Sequence, residues 1–198
     1  EVGCDAALQF AHFGVVAIEE AELVELGSDG TLEDITLTDV SVASTKSGAS
    51  AGSLAGYNKG VVSHCSSTGD VSGAATVGGL VGHNYDGTIE YSANACDVIG
   101  GSPAGGLVGY NEGTIENSSN TGDVTGGSSV GGLAGGSSSY SYCAIILDSR
   151  NSGDIIGGDN ASVGGLIGYS DVTEIWDSSN EGDVTGGDFA SVGGLAGN

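Results

Sequence analysis

Five aspartates recur in one local setting along this chain of 198 residues: Asp70, Asp97, Asp123, Asp154 and Asp183. Each is followed by Val or, once, Ile, and preceded by Gly or, once, Cys. Carboxylates held at a fixed place in a stacked repeat form a column. Neighbouring like charges at about 5 Å cost roughly 1 kcal/mol in bulk water and several times that near a protein surface. Two chemistries offset the repulsion. An aspartate in a turn accepts backbone N–H bonds, as in Asx turns; alternatively, neighbouring carboxylates hold Ca2+, which takes about six to eight oxygens in irregular geometry. The chain lacks the Gly-Gly-x-Gly-x-Asp nonapeptide of calcium-binding β-rolls, so turn capping is the first expectation and Ca2+ the second. No other metal or cofactor is implied.

The remaining reactive side chains do not form a catalytic set. His12, His64 and His83 neither repeat nor show metal-ligand spacing. No Gly-x-Ser-x-Gly elbow has the strand-to-helix context that nucleophilic serine requires. The expectation is that the chain is not an enzyme, with no catalytic residues. Cys4, Cys65, Cys96 and Cys143 lack Cys-x-x-Cys spacing, which favours disulfides over zinc. In the repeat alignment Cys65 falls on the serine after the Ile segment and Cys96, one coil later, on the glycine before Asp-Val. A Cys65–Cys96 bridge is expected, leaving Cys4–Cys143 by elimination, with unpaired thiols as the alternative. Asn117-Ser118-Ser119 and Asn160-Ala161-Ser162 are acceptor sequons for N-glycosylation. Tyr57, Tyr110 and Tyr169, with His83 in the intervening copy, recur after the Leu-x-Gly segment, either as an aromatic ledge for glycans or as cover for a coil edge. Trp176 and the insertion around Tyr140–Tyr142 make the one other candidate cluster for a sugar.

These residues are positioned by a repeat. The leucines of a Gly-Gly-Leu-like element, Leu54, Leu80, Leu107, Leu133, Leu166 and Leu195, are spaced by 26, 27, 26, 33 and 29 residues, and the Gly-Asp-Val element keeps the same beat. A third apolar point, Val62, Ile89, Ile115, Ile146 and Ile175, lies between. Three short apolar segments per unit, separated by Gly, Asn, Ser and Asp, are strand-and-turn punctuation. No single unit can bury its few apolar side chains, so units must stack at the inter-strand spacing of about 4.8 Å. The expected fold is all-β, a β-solenoid of about six coils of 26–33 residues each with an N-terminal cap. Asn58, Asn84 and Asn111 at one turn, and Asn120, Asn151 and Asn180 at another, should hydrogen-bond along its axis. The longer steps come from insertions at 137–142 and around Asp159 and Phe189, extruded as loops.

The Gly-Gly-Leu-x-Gly and Gly-Asp-Val elements kept in phase resemble the GLUG motif. This short repeat occurs in bacterial and archaeal surface proteins, including regions beside immunoglobulin-A-cleaving metallopeptidases and haemagglutinin-like adhesins. The resemblance covers about 53–198; the fourth copy departs most, with Gly136-Ser137 where its neighbours carry Tyr-Asn or His-Asn. It implies a repeated extracellular module with no catalytic residues to carry over.

Composition narrows the partners. Acidic residues number 26 against Lys46, Lys59 and Arg150, for a formal net charge of −23. Such a surface repels nucleic acid and anionic lipid and resembles proteins of very salty environments. With 39 Gly and 6% aromatic residues a thick globular core is excluded. There is no methionine and no apolar run long enough to span a membrane, which suggests an exported protein with its leader removed, extracellular or at the cell surface. Residues 1–29 lack the repeat and read as the cap, with a short helix at 5–13 and strands over 14–26; residues 30–198 read as the solenoid. The chain stops after the first third of a coil and enters at the element that would come next, so head-to-tail stacking could complete a coil across a junction. The expected function is a structural or adhesive surface element, a filament subunit or adhesin stalk, with itself as partner and surface glycans as a second class. The alternative is a carbohydrate-binding or carbohydrate-cleaving β-helix.

Overall fold

A computed structural model describes residues 25–138 and 143–198. Every regular element among them is a strand, and the pairings are parallel throughout. The strands form four columns. One contains Glu25–Leu26, Ala55–Asn58, Val81–Asn84, Val108–Asn111, Ala134–Ser137 and Ile167–Ser170. The next contains Thr31–Glu33, Val61–Ser63, Thr88–Glu90, Thr114–Glu116, Ala144–Leu147 and Thr173–Trp176. A third begins with the long strands Thr36–Ser44, Ser66–Gly73 and Ala93–Ile99. Its later strands are divided in two, as in Ser119–Asn120 and Val124–Gly126. The fourth is made of short strands such as Val77–Gly78 and Ser129–Gly131. Each column takes one strand from each successive coil, so the chain is a β-solenoid of about six turns.

Where three segments per coil are expected, four are found, because Gly-Gly-Leu is itself a corner. Gly78 ends one strand, Gly79 and Leu80 turn, and Val81 opens the next. Leu80, Leu107, Leu133 and Leu166 point inward there and are fully buried. A Cβ on Gly79 would sit 2.2 Å from the Gly106 carbonyl of the next coil and 2.3 Å from Cγ of Asn94. Only glycine lets the coils close on each other at this corner.

A second corner follows the Ile-containing strand. Asp34, His64, Tyr91, Asn117, Asp148 and Asp177 all occupy it with φ between 45° and 56°. Asn, Asp and His tolerate this left-handed conformation, whereas the bulkier Tyr91 adopts it against its own preference. The backbone N–H there donates to a carbonyl one coil on, as from Asn117 to Leu147.

Apolar side chains stack in two columns. Val62, Leu80, Ile89, Leu107, Ile115, Leu133, Ile146 and Leu166 belong to one, and Val71, Val77, Val98, Val124, Val130, Ile155 and Val163 to the other. Each coil contributes little, but the stack is continuous, which is how a repeat without a globular core acquires one. The insertions also stack: the backbone N–H of Asp188 donates to the Asp159 carboxylate (2.8 Å) and that of Asn160 to the Asp188 carbonyl (2.8 Å). Stacking already includes Glu25 and Leu26, which lie opposite Tyr57 and Asn58, inside the segment read as cap. Residues 1–24 of that segment, with the expected helix at 5–13, Cys4 and His12, lie outside the described residues, as do Tyr140–Tyr142.

Candidate functional site

Polar side chains run from coil to coil in ladders. The side-chain amide of Asn58 donates to the side-chain carbonyl of Asn84 (2.7 Å), and Asn84 to Asn111 (2.9 Å). On the third column Asn94 donates to Asn120, Asn120 to Asn151 and Asn151 to Asn180, each at 2.8 Å. The same amides also donate to the carbonyl two residues on, for example Asn120 to Gly122 (2.7 Å), or three in the case of Asn84 to Gly87 (3.0 Å). All these asparagines except Asn180 are buried, so every rung but the last satisfies groups that water cannot reach. Both expected ladders are present, and Asn94, which the repeat spacing could have supplied, extends one of them. In the next coil Ser137 falls in register with Asn111 through Tyr110 and Gly136, but its Oγ is hydrogen-bonded to Thr173 Oγ1 and the Asn111 amide donates to its own Gly113 carbonyl, so the asparagine-to-asparagine bonds of the first ladder end at Asn111.

A third ladder is made of serine. The N–H of Ser92 donates to Oγ of Ser118, Ser118 to Ser149 and Ser149 to Ser178, each at 3.1 Å, while each Oγ donates to the carbonyl two residues before it. The Ser recurring after the Ile segment was the sequence signal for it. Cys65 is its first rung: its N–H donates to Ser92 Oγ (3.1 Å) and its thiol to the Ser63 carbonyl (3.2 Å).

That placement corrects the expected Cys65–Cys96 bridge. Cys65 packs in one apolar column and Cys96 in the other, with Cys96 Sγ against Ser67 Oγ at 3.1 Å. Both are buried and no disulfide forms among the described residues. Two side chains committed to opposite halves of a coil interior cannot meet, although their positions flank the same strand. Burial pushes the Cys65 thiol up and the Cys96 thiol up to about 11, against the opposing hydrogen bond from Ser67. Cys143 is exposed.

The aspartate column is exposed, and its carboxylates bridge coils rather than closing local Asx turns. The N–H of Asp123 donates to Asp97 (3.1 Å), that of Asp154 to Asp123 (2.9 Å) and that of Asp183 to Asp154 (3.0 Å). Asp70 and Asp97 sit opposite each other where the strands are unbroken. From Asp123 on the strand is divided, and the carboxylate takes the N–H that a continuous ladder would have bonded. Among the described residues no three His, Cys, Asp or Glu side chains converge at metal-binding distance.

The expected aromatic ledge is an interlocked cluster. Tyr57, His83, Tyr110, Gly136 and Tyr169 occupy one register position. The His83 ring is met by Tyr57 at 4.9 Å and 65° and by Tyr110 at 5.2 Å and 90°, so successive rings alternate face and edge instead of lying flat. Tyr85 lies near-parallel to Tyr57 at 6.0 Å, and Lys59 Nζ sits 5.1 Å from the Tyr57 ring and 3.1 Å from Glu25. His83 Nε2 is 2.8 Å from Glu112. Burial raises the Tyr57 hydroxyl, opposed by the Lys59 charge. Gly136 separates Tyr169 from this group, and the Tyr169 hydroxyl donates to Asp171 instead. Trp176 is exposed on the neighbouring column with its indole N–H on Glu174 (3.3 Å); its suggested companions at Tyr140–Tyr142 are among the undescribed residues. His64 stands at a left-handed corner with Ser63 Oγ on Nδ1 at 2.8 Å.

Residues 73–99 and 100–125 each match the family model described as the GLUG motif. The chain carries GLUG repeats. Each matched stretch holds one complete set of rungs: a Gly-Gly-Leu corner, an asparagine on each of two ladders, a ladder serine and an outward aspartate. The GLUG pattern is therefore the sequence image of one solenoid coil. No curated protein matches the chain.

Proposed function

We infer that GLUG repeats on a β-solenoid fit a surface or structural repeat protein. We propose that this chain is a non-catalytic structural segment of an exported surface protein in a saline setting, a stalk whose coils also stack head to tail on a neighbouring copy to build a filament. The supporting observation is the uniform sense of its ladders. Every strand pairing among the described residues is parallel, and all five asparagine-to-asparagine bonds run to the next coil in the same direction. A further coil, from the same chain or another, repeats the same bonds, and heterologous contacts of this kind propagate without closing. Six coils at about 4.8 Å span about 30 Å. The test is negative-stain electron microscopy in molar salt and after dilution. Filaments that dissolve on dilution support the whole proposal; isolated rods in both conditions retain the stalk and reject the filament; globular particles reject both.

A second reading, carbohydrate binding, is favoured by the cluster of Tyr57, Tyr85, His83 and Lys59, the largest group of rings among the described residues of this acidic molecule. Exposed Tyr85 and the Lys59 ammonium would bind a sugar by stacking and hydrogen bonding. Affinity electrophoresis in gels containing neutral and acidic polysaccharides, with Tyr85→Ala alongside, tests it. Retardation lost in the variant supports binding, and equal mobility in all gels rejects it.

A further inference from the structure

Ten asparagines occur in the chain, and the fold divides them. Seven of them, Asn58, Asn84, Asn94, Asn111, Asn120, Asn151 and Asn180, are ladder rungs. None of the seven has Ser or Thr two residues on; the residue there is Gly, Asp or Cys. At several of them glycine is forced, because a Cβ on Gly122 or Gly153 would lie 2.0 Å from a carbonyl oxygen of the preceding coil. Apart from the last residue, Asn198, two asparagines remain: Asn117 and Asn160. Both begin sequons, both are exposed, both sit at left-handed corners with φ of 48° and 56°, and neither side-chain amide has a hydrogen-bond partner among the described residues. The amides needed for the interior cannot be glycosylation acceptors, and the two that can be acceptors point outward.

We propose that Asn117 and Asn160 are N-glycosylated, a proposal that rests on the exported location argued above. In the transfer, Asn Nδ2 bonds to C1 of a sugar carried on a lipid-linked phosphate or diphosphate. The C1–O bond to phosphate breaks, the lipid phosphate leaves with its electron pair, and the amide nitrogen loses one proton. A sugar at either corner projects into solvent, and the coil folds beneath it undisturbed. At Asn117 it also finds a seat. Tyr91, one coil earlier at the same corner, is 53% exposed and stacks on His64 at 5.1 Å and 14°. Tyr91 and Asn117 follow the paired Glu90 and Glu116, so the exposed ring stands one coil from the first sugar and offers an apolar surface for its C–H face.

The test is cell fractionation of the organism that makes the protein, followed by peptide mass spectrometry of the surface-collected chain. The expected result is added mass in whole sugar residues on the peptides of Asn117 and Asn160 and none on the seven ladder asparagines. Ser119→Ala and Ser162→Ala should each abolish the added mass at their own site while leaving the melting temperature of the unglycosylated protein unchanged. Surface-collected protein unmodified at both sites overturns the proposal while the export reading stands, and added mass on a ladder asparagine overturns the division argued here. Recovery of the chain only from inside the cell overturns export and glycosylation together.

Discussion

Cys65 occupies a serine position without behaving as a surface thiol. It donates where Ser92, Ser118 and Ser149 donate, and it lies in the apolar stack. Burial raises both it and Cys96, the latter to about 11, so almost no thiolate exists at neutral pH. Maleimide or disulfide reagents at pH 7 should leave Cys65 and Cys96 unlabelled in the folded protein and label both in denaturant; labelling of either in the folded state would refute their burial. Glu116 gives a pH signature of unusual sign. Burial, then a hydrogen bond and the charge of its column neighbour Glu90, hold its carboxyl above the usual glutamate range. The folded state therefore binds this proton more tightly than the unfolded chain. The stability this gives is present below the ordinary glutamate pKa of 4.5 and is lost as pH rises through the raised folded value. Glu116→Gln should raise the melting temperature at pH 7 and change it least at pH 3. The reverse order in a pH series of melts would contradict the pairing.

At the scale of the element, the unit of stability is a rung as much as a strand. Removing Asn120 leaves an amide of Asn94, a carbonyl of Asn151 and the carbonyl of Gly122 without partners in the interior. Each buried unsatisfied group costs about 1–3 kcal/mol. Asn120→Ala should therefore lower the free energy of unfolding by about 3 kcal/mol, whereas Asn117→Gly, at an exposed left-handed corner, should be close to neutral. Urea denaturation of the two variants decides it, and equal losses would mean that the ladders carry no weight. The side-chain bridges also explain why the third column survives being cut in two. Where backbone pairing stops between Asn120 and Val124, Asn and Asp side chains take over the bonds.

At the scale of the molecule, a net charge of −23 is carried largely outward, with the Asp97–Asp183 column bridged by single N–H bonds and otherwise open to solvent. Screening then governs stability, because the Debye length falls from about 10 Å at 0.1 M to about 3 Å at 1 M salt. Melting temperature should rise by several degrees between 0.1 M and 2 M potassium chloride. It should be indifferent to EDTA and to millimolar calcium, since each bridging carboxylate already spends one oxygen on the neighbouring coil. A large calcium-specific rise in a thermal scan at fixed ionic strength would instead establish the column as a metal site.

The repeat, the number of coils, the parallel stacking and the two asparagine ladders were all set by spacing alone. Gly-Gly-Leu and Gly-Asp-Val kept in phase over five copies admit one arrangement, in which identical side chains meet at the inter-strand distance. What spacing could not give was direction within a coil. Whether Cys65 turns to one apolar column and Cys96 to the other, whether Tyr57, His83 and Tyr110 meet flat or edge-on, and whether Asp123 bonds its own turn or the next coil all depend on where the four corners fall. Those corners are fixed by contacts between coils, such as Asn94 pressed against Gly79 and the Gly106 carbonyl beside it. A periodic sequence specifies which residues are neighbours along the axis; only the closed coil decides which way each of them faces.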